Sequence, residues 1–187
     1  LTIENRGNGL DTFSLTTMDL PEGWQISFSQ SSITINSKHN SNNEASLTAT
    51  VNVPSNALAG DNEVEFGVTV SGSTTILHSR VLTVSVAARH DLTADMLSTQ
   101  QTGRSGQIVQ FPIDIKNIGN IRDTFKLQVC DPGDQTGCNP PMWASSYSDS
   151  SGNSITQIIL DPGESKRVFL DVTVEGEEDA DSVTVLS

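Results

Sequence analysis

Positive charge and aromatic rings are both scarce in this chain. Ten Lys and Arg stand against 23 Asp and Glu, giving a formal net charge of −13. Such a surface repels phosphate backbones and anionic headgroups, so neither nucleic acid nor direct membrane insertion is expected. No apolar run approaches the ~18 residues that a membrane-spanning helix needs. One Tyr and two Trp are too few for an aromatic sugar-binding platform. Only 18% of residues are charged, so the polarity comes from Ser, Thr, Asn and Gly, a mix that favours strands and turns. No segment holds a helical period over eleven or more residues. The sequence opens inside a motif, with no Met, leader or anchor signal, and any targeting segment is expected to lie outside it.

Signatures of catalysis are missing as well. There is no Gly-x-Ser-x-Gly, phosphate loop or dinucleotide fingerprint. His39, His78 and His90 fall on a loop, a strand and a joint, with no nucleophile spaced beside them. No catalytic residue is assigned, and an enzyme is not expected. No Asn-x-Ser/Thr acceptor occurs, so N-linked sugar is not indicated.

What the chain does contain is a duplication. Ile3, Asn5, Gly7, Asn8, Asp11, Thr12, Phe13 and Leu15 recur at the same spacing as Ile115, Asn117, Gly119, Asn120, Asp123, Thr124, Phe125 and Leu127. A repeat this long is a domain rather than a solenoid unit. Pro21 and Trp24 are matched by Pro140 and Trp143, so the second copy carries an insertion between the motif and its Trp. Around each motif, short alternating runs are broken by turn signals every eight to twelve residues, a β-sandwich pattern of about seven strands per copy. The expected fold is all-β, two tandem sandwich domains over 1–88 and 89–187, with Ala87–His90 as the joint. Phe13 and Phe125 should face the cores. Trp24 and Trp143 should plug the ~10 Å space between sheets. Asn5, Gly7, Asn117 and Gly119 belong to the turn of each motif and are read as fold-determining.

Cys130 and Cys138 flank a Pro-Gly and Thr-Gly loop inside the insertion. A disulfide is expected there, pinning the insertion and implying an oxidising, extracytoplasmic setting. The alternative is a metal or redox pair, but no His lies near in sequence. Two acidic features could hold calcium. Asp11 and Asp123 recur at one place, either as ligands or as carboxylates accepting N–H bonds in the preceding turn. Glu175, Glu177, Glu178, Asp179 and Asp181 crowd one segment, either as oxygen ligands or as a solvated acidic loop, without an Asp-x-Asp-x-Asp-Gly pattern. No other cofactor is expected.

The copies differ at their ends. The second has a leading region, Asp91–Pro112, unmatched before Leu1. The first closes with a hairpin, Val64–Val86, of which the second has at most the start, Asp181–Val185. Each copy therefore lacks about a strand or two, and an unpaired edge is adhesive. Either the neighbours belong to a longer array, or another chain supplies the missing strands. In the second case Leu1, Ile3, Val183 and Val185 should lie beside the foreign strand.

The run Asn-x-Gly-Asn-x-x-Asp-Thr-Phe-x-Leu, the Pro-x-x-Trp of residues 21–24 and 140–143, Pro162-Gly163-Glu164-Ser165, and an alternating strand ending in Val53-Pro54 together carry a resemblance. The chain resembles the immunoglobulin-like domains found in tandem in archaeal and bacterial surface proteins, of the cell-adhesion-related (CARDB-type) and α-galactosidase-associated kinds. The second copy departs from the pattern in having Glu175-Gly176 where the first has Pro54-Ser55, and in its cysteine insertion. The resemblance implies immunoglobulin-like sandwiches in a secreted or surface protein, and it transfers no catalytic residue. The function expected is a structural or adhesive extracellular module of a cell-surface or filament-forming protein, whose partners are neighbouring domains of the same parent chain or like subunits in a polymer. The alternative is an accessory spacer or ligand-binding region of a larger secreted hydrolase. A calcium-dependent adhesin would instead show a melting temperature that rises with added calcium.

Overall fold

The computed structural model describes residues 1–130, 138, 143–174 and 182–184, with strands, turns and loops and no helix among them. The chain divides into two compact units, Leu1–Ala87 and Ala88–Ser187.

The first unit contains β1 (Thr2–Glu4), β2 (Asp11–Asp19), β3 (Gln25–Phe28), β4 (Ser32–Ile35), β5 (Glu44–Ser46), β6 (Ala49–Asn52), β7 (Gly60–Val70) and β8 (Ile76–Val86). One sheet runs β4-β2-β7-β8, and β1 pairs with β5 and β3 with β6, all antiparallel. Alternation decides what each strand buries, since successive side chains leave opposite faces. Phe13, Ile35, Val64 and Phe66 turn inward and are buried. The Phe28 ring of β3 meets the Phe66 ring of β7 edge-on at 5.7 Å, which brings residues of two sheets into contact. Trp24 enters β3 from a turn in which Gly23 takes φ +79° and the Trp24 amide donates to Pro21 O at 3.1 Å. Its ring packs with Ala57 and Val64, walled by Leu82, Val84 and Val86 of the hairpin.

The second unit contains β9 (Leu92–Met96), β10 (Gln100–Thr102), β11 (Ile108–Asn117), β12 (Asp123–Lys126), β13 (Ser145–Ser148), β14 (Ser154–Ile155), β15 (Gln157–Leu160), β16 (Ser165–Thr173) and β17 (Ser182–Thr184). A five-stranded sheet runs β14-β13-β16-β11-β9, and β12 pairs with β15 and β10 with β17. Val109, Phe111, Ile113 and Ile115 of β11 share one core with Val168, Leu170 and Val172 of β16 and with Ile158 and Leu160 of β15. Sheet therefore packs on sheet, an arrangement consistent with a β-sandwich. The turn into β16 is built by Pro162 and by Gly163 at φ +79°, with the Glu164 amide donating to Asp161 O at 3.0 Å.

The two units pair their motif strands in one register. Asp11↔Ile35 and Phe13↔Ile33 between β2 and β4 reappear as Asp123↔Leu160 and Phe125↔Ile158 between β12 and β15. Ile3↔Ala45 reappears as Ile115↔Lys166. Ile26↔Val51 and Phe28↔Ala49 reappear as Ser145↔Val172 and Tyr147↔Leu170.

Three expectations differ from what the fold contains. The alternating run Ala45–Val53 reads as one strand but divides into β5 and β6, because it changes partner from β1 to β3 around Leu47 and Thr48. Its match β16 stays whole, since β11 runs beside it from Ile108 to Lys116. The motif strand Asp123–Val129 closes early, at Lys126. β2 is held out to Asp19 by β7, and among the described residues no strand lies on that side of β12. Trp143 is half-buried rather than enclosed, while Trp24 is 6% exposed; the hairpin that walls Trp24 has no match among the described residues.

Candidate functional site

The motif residues assemble a polar lock in each unit. Asn5 is buried; its Nδ2 donates to Gly9 O and to Ile35 O, both at 3.0 Å, and its Oδ1 accepts from the Gly7 amide at 2.8 Å. Asn117 is fully buried and repeats every contact: Nδ2 to Ile121 O at 2.9 Å and to Leu160 O at 3.0 Å, with Oδ1 taking the Gly119 amide at 2.8 Å. Each Asn thus ties its own turn to a strand some thirty or forty residues on (|i−j| 30 and 43). The amides of both Asn residues also close the ladder, onto Asn43 O and Glu164 O. A buried amide with both N–H groups donated and its oxygen accepting fixes one arrangement of the backbone around it. The glycine two residues on is required by space. A Cβ on Gly7 would come to 2.9 Å from Asn5 Oδ1, and one on Gly119 to 3.0 Å from Asn117 Oδ1.

The aspartates do something other than cap the preceding turn. Asp11 Oδ1 and Asp123 Oδ1 each accept the amide of the following residue, Thr12 at 2.9 Å and Thr124 at 2.8 Å. Asp123 also accepts a hydrogen bond from His90 Nδ1 at 2.7 Å, which pairs the segment before β9 with the motif. The His90 bond first, and the Thr124 amide second, hold the Asp123 carboxyl below its ordinary pKa. Nothing in the sequence signals this pairing, because the partners stand 33 residues apart. A second unforeseen pair lies across β11 and β16. The Arg167 guanidinium grips Asp114 through two bonds of 2.7 Å, and the hydrogen bond from Arg167 lowers the Asp114 pKa.

Cys130 and Cys138 are joined in a disulfide. Such a bond belongs to oxidising compartments and hints at an extracellular environment. Among the described residues no three His, Cys, Asp or Glu side chains gather as a metal site, and no helix is long and apolar enough to cross a membrane. Glu175, Glu177, Glu178, Asp179 and Asp181 lie outside the described residues, as does Val185. Phe13 is buried and Phe125 half-buried. A cleft of about 450 Å³ opens beside Trp24, between Pro21, Pro54 and Leu58, but the indole itself is buried.

The most distinctive surfaces are sheet edges. Among the described residues β1 is paired on one side only, and so is β12. In the second unit β9 lies where the free side of β1 would be, and in the first β7 lies where the free side of β12 would be. Burial follows. Val53 is 41% exposed, but its match Val174 is fully enclosed, touching the segment around Gly103 that precedes β11. Leu1 is 39% exposed, its match Ile113 only 8%. Val183 sits in β17 opposite Gln101 of β10, on an edge taken within its own unit.

No protein-family model matches the chain, and no curated protein has detectable similarity to it.

Proposed function

We propose that the chain is a structural and adhesive element of a cell-surface or filament-forming protein, with immunoglobulin-like sandwich modules at 1–88 and 89–187. One observation carries the reading: two all-β units in series repeat one strand register and one buried-Asn lock, as modules built to be strung in tandem do. The Cys130–Cys138 bridge and the net charge of −13 support an extracellular setting, where a strongly acidic surface resists non-specific association. In this role the mechanism is mechanical. Hydrogen bonds run laterally between strands, and the Asn5 and Asn117 locks tie the start of each module to its interior, so pulling force meets many bonds at once.

The test is immunogold imaging of the native material with antibody raised against residues 1–187. The reading expects label along a surface layer or a continuous polymer. Label confined to a free, soluble hydrolase would overturn it and install the spacer reading instead.

A further inference from the structure

Ala87 to Asp91 connect β8 to β9, and the last three of these residues are fastened to the motif turn between β11 and β12 of the second unit. The Arg89 amide donates to Asn120 Oδ1 at 2.7 Å, and the Asn120 amide returns a bond to Arg89 O at 3.0 Å. The Arg89 guanidinium donates to Ile118 O at 2.7 Å. Asp91 O accepts from the Ile118 and Gly119 amides, both at 3.1 Å. Gly119 leaves room for the segment to pass. A Cβ there would fall on the Arg89 carbonyl oxygen and stand 3.1 Å from the Asp91 nitrogen.

None of these five bonds changes with pH near neutrality, since each joins backbone, amide or guanidinium groups. The sixth does. His90 Nδ1 lies 2.7 Å from Asp123 Oδ2 at the head of β12, and the His90 side chain is 64% exposed, open to proton exchange with solvent. With the ring charged, the bond joins opposite charges; with the ring neutral, the same N–H donates without that attraction. The hydrogen bond from His90 is the first cause of the lowered Asp123 pKa, so the carboxyl stays ionised in mild acid. The neighbouring charges along the chain are matched among themselves. Arg122, just before Asp123, lies 3.6 Å from Asp161, and Arg89 lies 3.7 Å from Asp91 on the segment itself.

We infer that Arg89–Asp91 is a pH-responsive latch on the joint, closed most firmly in mild acid, where His90 and Asp123 are both charged, and opening more often as His90 loses its proton. The window has two edges. The imidazolium's contribution is present below its titration and lost as pH rises through it. The carboxylate's is present above its lowered value and lost as pH falls through it. Each opening hands Arg89, His90 and Asp91 to the connection between the units, roughly 10 Å of added reach. The tether between modules therefore lengthens more often outside the window.

The test is amide exchange of the 15N-labelled 187-residue chain, followed by NMR in low salt and corrected for the intrinsic rate at each pH. The Ile118 and Asn120 amides, whose acceptors belong to the segment, should be roughly two- to fivefold better protected at about pH 5.5 than at about pH 8. That change should follow the titration of the His90 ring in the same samples. The amides of β11 and β16 are the reference and should keep constant protection. His90→Gln and Asp123→Asn should each flatten the profile, whereas Gly119→Ala should strip protection from Asn120 equally at both pH values. Equal protection of the two latch amides across the range, a pH dependence that survives His90→Gln and Asp123→Asn, or one shared by the β11 and β16 amides would overturn the latch.

Discussion

Replacing Asn117 with Ala tests whether the motif works as a lock. The substitution deletes two Nδ2 donations, to Ile121 O and Leu160 O, and one acceptor for the Gly119 amide. The Gly119 amide keeps Asp91 O at 3.1 Å, so that loss is partial. At about 1 kcal/mol per hydrogen bond, the expected destabilisation is roughly 2–3 kcal/mol. Asn5→Ala deletes the same three bonds, to Gly9 O, Ile35 O and from the Gly7 amide, and should cost a similar amount. With a urea m-value of about 1 kcal/mol/M for a unit of this size, the midpoint should fall by roughly 2–3 M. The assay is urea unfolding by fluorescence, in a Trp24→Phe background so that Trp143 reports the second unit, and in a Trp143→Phe background for the first. Asn117→Ala should move the Trp143 transition and leave the Trp24 transition in place. A loss below about 0.5 kcal/mol, less than one net hydrogen bond, would refute the lock. Asn117→Asp sharpens the test, since a carboxylate there faces two carbonyl oxygens; its penalty should exceed that of Ala at pH 7 and shrink in acid.

Gly119→Ala should destabilise the second unit by roughly 1–3 kcal/mol, because its Cβ collides with the Arg89 carbonyl at the docking of the segment before β9. Gly9→Ala, which meets nothing within 4 Å, should be near neutral in the same urea assay. Acid should act first on the second unit. Asp114 (through Arg167), Asp123 (through His90) and Asp149 (through the Asn153 amide) all hold lowered pKa values there. Carboxyls lowered on folding stabilise above the unfolded value near 3.9, and that contribution is lost as pH falls through the folded values. The Trp143 transition should therefore weaken below about pH 4 ahead of the Trp24 transition; simultaneous loss would contradict the assignment. Reducing Cys130–Cys138 reopens a loop of separation 8, expected to cost about 2.5 kcal/mol on the chain-entropy model. Thermal unfolding with and without dithiothreitol should show the drop in the second unit alone.

Much of the architecture is legible along the chain because a strand announces itself locally. Period-two alternation in Val64–Val70, Ile108–Ile115 and Val168–Val174 marks the inward face, and Pro-x-Gly and Pro-Gly-Glu turns mark the ends. The disulfide is legible for the same reason: its partners are near neighbours. The duplicated motif marks Asn5 and Asn117 as important, but their chemistry is hidden, since Ile35 O and Leu160 O come from strands whose pairing no local rule specifies. The same holds for His90 with Asp123 and Arg167 with Asp114, both set by register.

The sequence by itself determined the alternation, the turns, the duplication and the acidic surface, because each depends on residues a few positions apart. Only the tertiary structure decided which strands meet and in what register. Matching motif strands end differently, β2 at Asp19 and β12 at Lys126, because one has β7 beside it and the other has no such strand among the described residues. Backbone hydrogen bonds need a partner in space, and a strand's extent is set by that partner as much as by its own residues.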